Sequence, residues 1–188
     1  LNTGTAGDAS YLEETNIIKV PITLSGVSAE TYYFAPFGFE GNAMIAVLKA
    51  PGATDGFALF NFHLGDGTPD TPNANSERLK VLSDGKSIAE SGPGGGAMIY
   101  VPITALAHAD CDSAWSKVNS GQSLGDKSNC SGNDVVPAFQ SSLDGGYMAV
   151  ETLFAENESD AETLLAQFKT WLNGRGAQKV LTDALAEW

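Results

Sequence analysis

Basic residues and long apolar runs are both scarce in this sequence. Lys and Arg together number 10 among 188 residues, against 23 Asp and Glu, which gives a formal net charge of −13. So acidic a chain repels polyphosphates at every approach, so we expect no nucleic-acid partner, and anionic membrane surfaces are poor partners. No stretch approaches the roughly 18 consecutive apolar residues needed to cross a bilayer, so we expect no membrane-spanning segment.

Cysteine is also scarce, since Cys111 and Cys130 are the only two in the chain. With two histidines and no CxxC or HxxxH spacing, a zinc site is not expected. The two cysteines bracket a polar segment, and a disulfide between them would close a loop of about 20 residues and stabilise the fold by roughly 3 kcal/mol. The alternative is two unrelated buried thiols.

The compartment follows from the cysteines and from the first residue. The sequence begins with Leu1 rather than Met, which a cleaved signal peptide would explain. Disulfides persist in oxidising compartments. We therefore expect an extracellular or periplasmic protein.

Short β-branched and aromatic runs separated by Gly, Pro, Asp and Asn clusters are typical of strands and turns. The sequence predicts seven strands, at 17–24, 31–39, 43–50, 56–64, 78–83, 97–106 and 147–154. This spacing favours a mainly antiparallel sheet or a sandwich. Pro21 and Pro102 lack an amide donor, so we expect each at a sheet edge or a bulge.

The pattern becomes helical after residue 159. Ser159 and Glu162 have the spacing of a capping box, and apolar residues then recur at helical intervals up to Gly174. A second amphipathic helix follows. We therefore predict one α+β domain over 1–188, β-rich over 1–155, with the helical pair of 159–188 packed on one face of the sheet.

The segment around residues 66–77 is rich in oxygen-bearing side chains. Its candidate Ca²⁺ ligands are Asp66, Asp70, Asn73, Asn75 and Glu77. These are residue types that Ca²⁺ prefers, although their spacing is not that of an EF-hand. The alternative is a plain turn, in which Asp and Asn bond to their own backbone.

Aromatic residues are concentrated at 31–39. Alternation along this strand buries Tyr32 and exposes Tyr33, and Phe37 follows in the same segment. Tyr32, Tyr33 and Phe37 are therefore candidates for stacking on sugar rings or on a partner protein. Packing within the core is the alternative.

Catalytic patterns are weak. Ser123 lies in a GxSxG match, but no apolar strand precedes it and no His follows it, so a nucleophile elbow is not expected. Glu151 paired with Glu40 or Asp66 would suit a glycosidase. The sequence favours a non-catalytic protein that binds a protein or a carbohydrate, or assembles with copies of itself. The alternative is a carboxylate-based hydrolase acting on extracellular polysaccharide.

Overall fold

The computed structural model of the chain describes residues 5–24, 26–60, 77–92, 95–104, 106–109, 114–124, 129–132 and 135–187. The strands are β1 (Thr5–Ala6), β2 (Ser10–Tyr11), β3 (Ile18–Leu24), β4 (Val27–Phe34), β5 (Ala43–Lys49), β6 (Asp55–Leu59), β7 (Glu77–Val81), β8 (Ile88–Ser91), β9 (Ala97–Pro102), β10 (Leu106–Ala109), β11 (Asn129–Gly132), β12 (Pro137–Ser142) and β13 (Tyr147–Ala155). The helices are α1 (Ala114–Asn119), α2 (Ala161–Leu172) and α3 (Ala177–Ala186), with a 3-10 turn at Glu158–Asp160.

Two antiparallel sheets are formed by these strands. The large sheet has ten strands in the order β1-β3-β4-β5-β13-β9-β8-β7-β11, with β2 also paired to β3, and the small sheet has the order β10-β12-β6. The α+β class is therefore confirmed. The predicted count of seven strands is wrong, because the described residues contain six further strands of two to six residues. Such short strands show too little alternation to be recognised.

The two C-terminal helices cover one face of the large sheet. Because strand side chains alternate between faces, Ala149 and Leu153 of β13 point toward the helices, whereas Met148 and Val150 point the other way. Phe168 of α2 is fully buried on the helix side. The helical pair predicted from the sequence thus packs on one face of the sheet.

The small sheet packs on the opposite face of the large sheet. Phe139 of β12 is buried in one apolar cluster with Tyr100, Met98 and Val150 of the large sheet. The ring of Phe60, directly after β6, lies 4.8 Å from the ring of Tyr100, measured between centroids. The inter-sheet core is therefore built largely from aromatic and aliphatic side chains.

Both prolines lie where pairing with one neighbouring strand is absent, so the missing backbone N–H costs no hydrogen bond on that side. Pro21 lies in β3 between the residues that pair with β1 and those that pair with β2. Pro102 is the last residue of β9 and lies beyond the end of the pairing with β8. Each proline therefore has a paired strand on one side only, which is the kind of position that proline tolerates in a sheet.

The capping box predicted at Ser159 is wrong. The residue before α2 is Asp160, which makes no side-chain capping bond, and Glu162 accepts hydrogen bonds from the backbone N–H and the hydroxyl of Ser83. Glu162 binds the β7–β8 turn instead of capping its own helix, because α2 packs beside that turn. The predicted end of the helix at Gly174 is confirmed, since Asn173 adopts a left-handed φ of 48° and Gly174 a φ of 72° just after α2.

Candidate functional site

A buried acidic group lies between the two sheets. Glu90 of β8 and Tyr100 of β9 are both 0% exposed, and the Tyr100 hydroxyl donates to Glu90 Oε2 over 2.7 Å. Glu77 of β7 is 1% exposed. Because Leu79 pairs with Glu90, Glu77 lies diagonally across from Glu90 on the same face.

Burial dominates the electrostatics of this group. Desolvation raises the pKa of Glu90 to about 8, the hydrogen bond from Tyr100 opposes that rise, and the charge of Glu77 adds to it. Burial also raises the pKa of Tyr100, and the charge of Glu90 raises it further. At neutral pH the Glu90 carboxyl is therefore mainly protonated. This acidic group is therefore part of the inter-sheet core.

Glu151 is the other buried acid, and it lies on the helix side of β13. Its carboxyl is 0% exposed, and neither oxygen has a hydrogen-bond partner among the described residues. Ile45 and Val101 flank it on the neighbouring strands. Burial raises the pKa of Glu151 to about 9. Glu151 therefore does not face a cleft, as pairing with Glu40 or Asp66 would require; Asp66 lies outside the described residues.

An apolar groove with a volume of about 260 Å³ opens where the small sheet stops short of the large one. Its floor is the inner face of β3, β4, β5 and β13, and its wall is residues 57–60 of β6 and just beyond. Among the described lining residues, only Thr31 and Tyr33 carry hydroxyls, and burial raises the pKa of Tyr33. None of the described residues that line the groove is charged, so this lining suits an apolar occupant.

Three shallower clefts lie elsewhere on the described surface, and each has one acidic residue in its lining. They contain Asp144 beside α3, Glu158 beside β7 and β11, and Glu40 beside α2. The cleft beside α2 also contains Trp171, but Phe168 stacks on that ring at 5.3 Å and the Arg175 guanidinium lies 4.2 Å from its centroid. The Trp171 ring is therefore already engaged within the chain.

The predicted calcium ligands are only partly within the described residues. Asp66, Asp70, Asn73 and Asn75 lie outside them. Glu77 is a buried residue of β7 that faces Glu90. Among the described residues no group of three or more His, Cys, Asp or Glu is placed to hold a metal ion. The calcium site stays a prediction.

The three predicted binding aromatics have different positions. Tyr32 is 6% exposed on the helix side, where it donates to Glu30 over 2.7 Å. Tyr33 is half-buried and lines the apolar groove. Phe37 is 60% exposed in the loop after β4, and its carbonyl accepts a hydrogen bond from the Trp171 indole. The structure therefore does not bring these residues together into one binding strip.

Cys130 lies half-buried on β11 and is disulfide-bonded. Cys111 lies outside the described residues, so the Cys111–Cys130 pairing stays a prediction. No helix in the described part of the chain is long and apolar enough to span a membrane.

Sequence reasoning missed the inter-sheet acid group and the groove. Glu90 follows Ile88 at a spacing of two in a run bounded by serines. Recognising that run as a strand would have placed Glu90 on the inward face with Ile88. The groove had no signal in the sequence, because its floor and wall come from five separate strands.

No protein-family model matches the chain, and no curated protein matches it. Among solved structures, the chain resembles a bacterial glucoamylase complexed with acarbose, at a TM-score of 0.68 and 10% identity over 98% of this chain and 28% of that chain. It also resembles a family GH92 inverting mannosidase from Bacteroides thetaiotaomicron, at a TM-score of 0.52 and 9% identity over 90% of this chain and 21% of that chain. The chain thus spans less than a third of either protein, and the likeness is one of fold.

Proposed function

We propose that this chain is a secreted or periplasmic, non-catalytic domain that binds a protein acting on carbohydrate. The placement of the carboxylates carries the proposal. Glu77, Glu90 and Glu151 are at most 1% exposed, and three clefts lined by described residues each contain one acidic residue among those residues. A glycosidase of the usual kind needs two carboxyl groups about 5–10 Å apart, flanking the bond to be cleaved.

The fold comparison supports an accessory role. Nearly the whole chain matches 28% of the glucoamylase and 21% of the mannosidase, so the likeness is to a minor part of each enzyme. A fold that occurs as a minor part of two carbohydrate-active enzymes is suited to bind a catalytic domain. The partner is accordingly a carbohydrate-active protein or domain.

The first test is catalytic. The purified chain is incubated with soluble starch and with mannan, and released reducing sugar is measured. We expect none. Sugar release that disappears in Glu40→Gln, with Glu156→Gln as an exposed control, would replace the proposal with the carboxylate-based hydrolase.

The second test is binding. The tagged chain is used to retain partners from the secreted and periplasmic fractions of the source organism, and we expect a retained protein whose eluate hydrolyses polysaccharide. Sedimentation velocity at several concentrations gives the control. A chain that assembles only with itself would overturn the choice of a distinct partner.

A further inference from the structure

The groove beside β6 borders a strand edge. Among the described strands, β6 pairs with β12 on one side and has no strand on the other. An edge strand presents unpaired backbone groups that another strand can bind. The groove therefore combines an apolar floor with a hydrogen-bonding wall.

The register identifies which backbone groups point into the open edge. Phe60 N–H donates to the Pro137 carbonyl, and Leu143 N–H donates to the Thr54 carbonyl. Because hydrogen-bonded pairs alternate in an antiparallel ladder, Ala58 also directs its N–H and C=O toward β12. Phe57 and Leu59 direct theirs away from β12, toward the groove.

The side chains show that the groove lies alongside β6 and not beneath it. Ala58 and Phe60 pack in the inter-sheet core, whereas Phe57 and Leu59 pack with the cluster around α1 on the other face. Residues from both faces nevertheless line the groove. An occupant that touches residues from both faces of β6 therefore lies beside the edge of this strand, in the position that the next strand of the small sheet would take.

The floor and the charge define the chemistry of that occupant. Ile22, Leu48 and Met148 supply an apolar floor, which accepts every second side chain of an extended strand. The volume of about 260 Å³ is below the range of about 300–1,000 Å³ typical of small-molecule pockets and suits a few side chains. The chain carries a net charge of −13, which favours basic flanks on the bound segment.

We propose that the groove binds an extended peptide segment of the partner, with alternating apolar side chains and basic flanks, by adding it as a strand to the open edge of β6. The inference rests on the proposed function, since it specifies the surface and the segment through which that partner is bound. Strand addition gains affinity from backbone hydrogen bonds and selectivity from the alternate side chains.

The probe is a fluorescein-labelled peptide with a Val-Thr-Val-Thr-Val core between pairs of lysines. Titration is followed by anisotropy, and amide hydrogen exchange is followed by NMR. Binding should slow exchange at the amides of Phe57 and Leu59 and leave those of Ala58 and Phe60, already paired with β12, unchanged. The same peptide with N-methyl groups on its edge-facing amides should bind about tenfold more weakly, since each lost hydrogen bond weakens binding by up to about that factor.

Two pairs of protein variants separate the wall from the floor. Leu59→Pro removes an edge-facing N–H and should weaken peptide binding, whereas Leu59→Ala keeps that N–H and should bind better than the proline variant. Leu48→Asp charges the floor and should abolish binding, whereas Val27→Asp, at an exposed position outside the groove, should not. Circular dichroism melts check that each variant folds, and the N-methylated peptide tests the wild-type chain directly.

Three outcomes would overturn the inference: no saturable binding of the peptide, binding without protection of Phe57 and Leu59, or equal binding of the N-methylated peptide. Binding of an apolar dye in the groove that the peptide does not displace would instead assign the groove to a small apolar ligand. Retention of the natural partner by Leu48→Asp would show that the proposed function stands while this surface is wrong. Peptide binding with no retained partner would show the reverse.

Discussion

Glu151 is the residue whose replacement tests the packing of the fold most directly. It is fully buried under α2 and α3, and neither carboxyl oxygen has a partner among the described residues. Burial raises its pKa from 4.5 to about 9. An acid held neutral in this way makes stability depend on pH over a wide range.

The sign follows from which state binds the proton. Below pH 4.5 both the folded and the unfolded chain have Glu151 protonated, so its contribution to stability is fully present. As the pH rises toward 9 the unfolded chain ionises and the folded chain does not, so stability falls by about 1.4 kcal/mol per pH unit. Between pH 5 and pH 8 this amounts to about 4 kcal/mol, an upper value for a side chain held rigidly in place.

Glu151→Met keeps a side chain of similar length and removes the ionisable group. We expect its free energy of unfolding to exceed that of the wild type by an amount that grows by up to about 4 kcal/mol from pH 5 to pH 8. Urea unfolding followed by circular dichroism, without reductant, measures this at each pH. Glu90 is retained in both proteins, so its own pH dependence cancels.

The matched control is Glu156→Met, which makes the same substitution at an exposed position. It should follow the wild type across the pH range. If Glu151→Met and the wild type show the same pH slope, Glu151 is ionised in the folded protein and the description of its environment is wrong.

Three further predictions concern other residues. Tyr100→Phe removes the hydroxyl that donates to Glu90 in the core and should lower the free energy of unfolding by about 1–3 kcal/mol, measured in urea at pH 6; an unchanged value would mean that the Glu90 carboxyl finds another donor. Cys111 and Cys130 should resist alkylation until reduced, and reduction should cost roughly 3 kcal/mol; mass spectrometry that finds both thiols free without reductant would remove the compartment assignment as well. A thermal melt with millimolar calcium should rise above one with chelator by an increment that Asp70→Ala abolishes, since a ligand bound only to the folded state stabilises it; equal midpoints would leave that segment as a turn.

The sequence by itself determined the elements that carry a long regular pattern. The predicted segments 17–24, 43–50 and 147–154 agree with β3, β5 and β13 to within about a residue at each end, because five or more alternating residues specify a strand locally. The two C-terminal helices were predicted equally well from the spacing of their apolar residues. Local conformation depends on neighbours in the chain, so a local pattern suffices to predict it.

Only the tertiary structure decided that three acidic side chains are buried and where the groove lies. Local sequence patterns would place Glu77 and Glu151 at the surface, because charged side chains are rarely buried. The spacing of Glu90 from Ile88 assigns them to one face of a strand but does not show that this face is covered. The three acids are buried because α2, α3 and the small sheet close over the two faces of the large sheet, and those covering segments lie far from them in sequence. Among the described strands, the open edge of β6 likewise follows from the small sheet having fewer strands than the large sheet beneath it. Strand order depends on long-range pairing that no local window contains.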